Sequence, residues 1–128
     1  MMRFILFISI FVAQVFSDTF PTALGECTLE IYGGRVDDIP EIVQLIKDES
    51  VILVDELGEV NIRSYSVYIT SNMEDFYEKS KGPVPEWGIA LAKLNPDRAI
   101  LKSPGLANIS FIRMKEVIAH ELNHIYMF

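Results

Sequence analysis

The sequence predicts an α+β fold. Three observations carry that reading: two stretches that alternate apolar and polar residues, a hairpin signal at Asn95-Pro96-Asp97, and a long amphipathic segment at the end. The chain has 128 residues, room for one domain, and half of them are hydrophobic.

Taken in order, Met1-Met2-Arg3 is a short positive start, Phe4 to Phe16 is a mostly apolar run, and Ser17 precedes Asp18. A positive, then apolar, then cleavable order predicts a secretory signal peptide over 1–17, with the mature domain over 18–128. The run is shorter than the ~20 residues that span a bilayer, so an uncleaved anchor is the weaker alternative and no membrane span is expected after cleavage. The expected location is outside the cytoplasm: secreted, periplasmic or in the cell envelope. Thr28 to Tyr32 alternates and ends at Gly33-Gly34, which predicts a short strand. Asp38, Pro40 and Glu41 mark a helix start, and Ile39, Ile42, Val43 and Ile46 continue it to about Glu49. Val51 to Val54 reads as a brief strand, and Asp55 to Glu59, with Gly58, as a turn.

Ile62 to Thr70 is the clearest strand, with Tyr65, Val67 and Ile69 on one face. Ser71-Asn72-Met73-Glu74 fits a capping box, which predicts a helix to about Ser80. Gly82, Pro83 and Pro85 break it. Trp87 to Leu94 and Arg98 to Lys102 then form a hairpin, which favours α+β over a purely parallel sheet. Pro104-Gly105 ends the pair, and a helix is expected from Asn108 or Ser110 onward.

Charge and cysteine usage narrow the function classes. A formal net charge of −7 argues against a nucleic-acid partner, since phosphate backbones select basic surfaces. Cys27 is the only cysteine, so no internal disulfide forms. The acidic residue in Leu24-Gly25-Glu26 also makes it a poor lipid-attachment site.

The closing segment holds the chemistry. His120-Glu121-Leu122-Asn123-His124 has the pattern His-Glu-x-x-His. On a helix the two histidines lie about 40° apart on one face, one turn from each other. Two imidazoles at that spacing bind one Zn²⁺, and Glu121, turned by about 100°, reaches a water beside it as general base. Phe111, Met114, Ile118, Leu122 and Ile125 form a stripe nearly opposite, with Ile112, Ala119 and Tyr126 as a second apolar strip. Two histidines and eleven glutamates fall into this pattern by chance on the order of one time in a thousand. Two ordinary helical histidines are the bland alternative.

A catalytic zinc normally takes three protein ligands. The extended pattern with a third histidine requires Gly seven residues after His120, where Met127 stands. The other common arrangement takes a Glu from a later helix, and none follows before Phe128. Asp55, Glu56 and Asp97 have no spacing that recommends them as ligands. Glu116, one turn before His120, reads as a solvated acid rather than a partner of that ring, and Trp87 as core rather than substrate contact.

Pro85-Glu86-Trp87-Gly88-Ile89-Ala90, Arg98-Ala99-Ile100-Leu101-Lys102-Ser103-Pro104 and Val117-Ile118-Ala119-His120-Glu121-Leu122-Asn123-His124 together resemble the peptidase MA-like family of gluzincins, over roughly Ser64 to the end. The resemblance implies a zincin-like upper subdomain: a mixed sheet with a hairpin, backing helices and a C-terminal active-site helix. It implies metal ligation by His120 and His124, Glu121 as base, and peptide or protein substrates. By analogy, the strand around Gly88 to Leu91 is the edge against which an extended substrate would lie. The family's third ligand, a Glu on the next helix, has no counterpart here. The chain is therefore expected to be the N-terminal portion of such a domain, binding zinc weakly by itself. A secreted, non-catalytic interaction module derived from a metallopeptidase is the alternative.

Overall fold

The computed structural model describes residues 15–33, 39–59, 63–81 and 88–128. Strands β1 (Val15–Thr22) and β2 (Gly25–Tyr32) form an antiparallel pair. Helix α1 (Ile39–Leu57) leads to β3 (Arg63–Thr70), and α2 (Met73–Ser80) follows. Strands β4 (Ala90–Lys93) and β5 (Arg98–Lys102) make the hairpin, before the single turn α3 (Pro104–Ala107) and the long helix α4 (Phe111–Met127). The architecture is α+β.

One five-stranded sheet runs in the order β1-β2-β3-β5-β4. Its three central strands are parallel, and the strand at each edge is antiparallel to its neighbour. Alternation sorts the side chains. Cys27, Leu29 and Ile31 of β2, Tyr65, Val67 and Ile69 of β3, and Ala99 and Leu101 of β5 belong to one core with Ile42 and Ile46 of α1 and Met114, Ile118, Leu122 and Ile125 of α4. Each fully buried Leu or Ile stabilises the fold by roughly 1.5–3 kcal/mol, so this face is the main source of stability.

Helices α1 and α4 lie side by side and run the same way. Lys115 of α4 meets Glu41 in the first turn of α1 at 2.6 Å, and the Tyr126 hydroxyl donates to Gly58 O just past the other end at 2.8 Å. Helix α2 packs on β3 and β5, burying Phe76. Arg98 donates to Lys79 O at 3.0 Å, and Lys93 Nζ to Ser80 O at 2.6 Å. These cations meet the carbonyl end of α2, where the helix dipole favours positive charge.

Several sequence expectations change. Val51 to Val54 is helix rather than strand, and the expected turn over Asp55 to Glu59 begins only after Leu57. Ile42, Ile46 and Ser50 are buried at successive turns, with Leu53 and Val54 half-buried beyond them. Packing of this stripe against the core outweighs the weak strand preference of a β-branched run. The expected cap of α1, Asp38, lies outside the described residues. The cap of α2 is displaced by one position: Asn72 Oδ1 accepts from Asp75 N at 2.8 Å, so the box is Asn72–Asp75 rather than Ser71–Glu74.

Strand β2 starts at Gly25, three residues earlier than predicted, and β1 had no counterpart in the sequence reading. Gly25 permits the early start. Its φ is +128°, and a Cβ there would stand 1.7 Å from Arg63 O of the neighbouring strand. The predicted signal segment falls largely outside the described residues, while Val15, Phe16 and Ser17 pair with Tyr32, Ile31 and Glu30. Among the described residues no helix is long and apolar enough to cross a membrane.

Candidate metal centre

Packing of α4 fixes what its other side presents. Ser110 caps the helix by accepting from Arg113 N at 3.0 Å. Met114, Val117, Ile118, Leu122 and Ile125 then face the core, which turns His120, Asn123 and His124 to solvent. Ile112 departs from the expected second apolar strip: it is 68 % exposed, at the solvent end of the helix.

The two imidazoles converge. His120 Nε2 and His124 Nε2 lie 3.1 Å apart, with ring centroids at 4.7 Å and planes at 87°. Two nitrogens each about 2.0–2.1 Å from a tetrahedral Zn²⁺ would stand about 3.3 Å apart, so the pair fits one metal ion with little adjustment. When one ring carries its proton on Nε2, the same contact is a hydrogen bond.

Glu121 sits at the boundary between core and solvent, 6 % exposed. Burial raises its carboxyl above the usual carboxylate range, and positive charge on His120 and His124 opposes that shift. A carboxyl raised by burial holds a proton more readily than an exposed one, which suits it to acid–base work.

Glu121 and His120 open onto a cleft of about 510 Å³. Arg113, Glu116 and Val117 extend the helical wall, and Gly88, Ile89 and Ala90 form the opposite one. The second wall leads into β4, the edge strand of the sheet among the described residues. Lys102 N donates to Ile89 O at 2.9 Å, which makes Ile89 and Lys102 a hydrogen-bonded pair. With the β4–β5 register, the alternation of antiparallel pairing turns the N–H and C=O of Ala90 and Ala92 away from β5, toward the open edge.

The predicted site residues are thus placed as follows. His120 and Glu121 line the cleft, with Gly88 to Ala90 bordering it, and His124 meets His120 at 3.1 Å without lining the cleft itself. Trp87, with Pro85 and Glu86, lies outside the described residues. Glu116 lines the cleft and pairs with Arg113 at 3.2 Å, both on the exposed side of the helix. Asp55 and Glu56 are exposed near the far end of α1. Asp97 is engaged by Arg63, whose Nε lies 3.2 Å from Oδ2. Among the described residues no group of three or more His, Cys, Asp or Glu is placed to hold a metal ion. Arg113 went unnoticed in the sequence, although its spacing from Glu116 and His120 on the predicted helix was the available signal.

The chain matches no protein-family profile, no curated protein and no solved structure.

Proposed function

We propose that this chain carries the histidine pair and the base of a zinc-dependent peptidase site, in a zincin-like subdomain of the gluzincin, peptidase MA-like type, and that it acts as an exported protein. The observation that carries the proposal is the pairing of His120 and His124 at 3.1 Å, with His120 and the buried Glu121 lining a cleft bordered by the start of the edge strand β4. An antiparallel edge strand next to the helix that bears His-Glu-x-x-His agrees with the zincin assignment. His120 and His124 would hold Zn²⁺ through Nε2, with further protein ligation from outside the described residues.

Bound zinc supplies Lewis acidity toward the substrate carbonyl and toward water. The chain's own residues do the rest. The Ala90 and Ala92 peptide groups offer ladder partners to an extended substrate, which lays its backbone across the cleft. Glu121 takes a proton as water oxygen bonds to the scissile carbon, then delivers that proton to the amine nitrogen as the C–N bond breaks. Burial of Glu121 raises its proton affinity, which favours its taking up the proton.

Glu121→Gln is the decisive variant. Assayed on an unstructured protein substrate with zinc present, it should abolish hydrolysis while zinc binding persists. Hydrolysis retained in that variant would remove Glu121 as the base and the proposal with it.

A further inference from the structure

His124 lies in the last turn of α4, three residues before Met127, whereas His120 sits a full turn deeper. The last four carbonyls of a helix lack intrahelical partners, and terminal turns fray. Phe128 N closes this turn on His124 O at 3.2 Å and Ile125 O at 3.3 Å, and a chelating pair, which needs both rings held, gains from a tie to the rest of the fold as well.

Arg63, at the start of β3, supplies one. Its Nη2 donates to Ile125 O, the carbonyl one residue beyond His124. The same guanidinium reaches the β4–β5 turn, where Nε lies 3.2 Å from Asp97 Oδ2 as an ion pair without a hydrogen bond of its own. Asp97 is itself fixed, because its carbonyl accepts from Ser66 N at 3.2 Å. A rigid, planar fork is suited to meeting two partners at once. Tyr126 also ties this turn, but to the end of α1. Arg63 links it instead to Asp97, in the turn of the β4–β5 hairpin whose other end, at Gly88 to Ala90, borders the cleft.

We propose that Arg63 is a positioning residue of the metal site: it holds the His124 turn of α4 at a set distance from the β4–β5 hairpin and so keeps the histidine pair ready to chelate. The inference rests on the metal-binding reading of that pair. Arg63 touches neither metal nor substrate, and its effect is carried through main-chain position.

The test is Co²⁺ titration of the full chain, followed by visible absorption well below the unfolding temperature, in wild type, His120→Ala, Arg63→Met, Arg63→Lys and Asp97→Asn. Groups that orient metal ligands typically change affinity by 10–100-fold, so Arg63→Met should weaken Co²⁺ binding about tenfold. Arg63→Lys, which keeps the charge but reaches one partner at a time, should recover part of that loss. Should Arg63→Met fail to fold, Asp97→Asn decides: it spares the bond to Ile125 O, frees the guanidinium to turn, and should weaken binding a few-fold. Wild-type Co²⁺ affinity in these variants, even with a lower thermal midpoint, would make Arg63 a structural cap and overturn the inference alone. Equal binding by wild type and His120→Ala would overturn the metal reading and the inference together.

Discussion

The hydroxyl of Tyr126 donates to Gly58 O at 2.8 Å, binding the end of the histidine-bearing helix to the chain just past α1. Gly58 has φ +104° and its N–H bonds Val54 O at 2.9 Å, so the acceptor carbonyl is held by the close of its own helix. Tyr126→Phe removes one hydrogen bond and leaves the ring in place. It should cost about 1 kcal/mol of unfolding free energy, read from urea denaturation. An unchanged midpoint would show that the two helix ends are not coupled.

Glu121 should lower the stability of the metal-free fold. Its carboxyl is raised by burial, so the folded chain keeps a proton that the unfolded chain releases near 4.5. Stability linked to this group is therefore highest below that value and falls as pH rises through the higher folded value. With a chelator present, Glu121→Gln should be more stable than wild type at pH 7. The gap should close as the pH drops below 4.5. A variant less stable than wild type at pH 7 would contradict this account of the buried carboxyl.

Burial acts on Cys27 in the same direction. Burial pushes its thiol up from 9.0 to about 12, although a hydrogen bond with Tyr65 opposes the shift. Above 9.0 the unfolded chain loses the thiol proton first, so stability present below that pH declines toward 12. Burial also raises the Tyr65 hydroxyl, which adds to the same alkaline decline. Cys27→Ala should make the fall in urea midpoint between pH 8 and about 10.5 shallower without abolishing it. Identical slopes would show that Cys27 ionises as freely in the fold as outside it.

Most of the sheet and the histidine-bearing helix could be read because their residues carry period-specific patterns. Tyr65, Val67 and Ile69 alternate, Met114, Ile118, Leu122 and Ile125 recur at helical spacing, and Asn95-Pro96-Asp97 marks its turn. Val51 to Val54 misled because four β-branched or apolar residues in a row carry no period, and only the packing of Ile42, Ile46 and Ser50 settles them as helix. Strand β1 was hidden by hydropathy, since its residues adjoin an apolar run that reads as a leader. Ile112 fits an apolar strip by angle yet protrudes at 68 % exposure, while Phe111 beside it packs against the core. That His120, Glu121 and His124 share one helix, with the two rings a turn apart, was legible from spacing alone. Arg63 and the wall at Gly88 to Ala90 were not, since they are brought to the helix by strand order, which no local pattern records.

The central claim is that His120 and His124 grip one metal ion together. Zinc K-edge X-ray absorption on the chain loaded with one equivalent of Zn²⁺ tests it most directly. The expected result is two imidazole nitrogens at about 2.0–2.1 Å, with that signature lost in both His120→Ala and His124→Ala. A zinc shell without imidazole scattering, or one unchanged by either substitution, would contradict the claim.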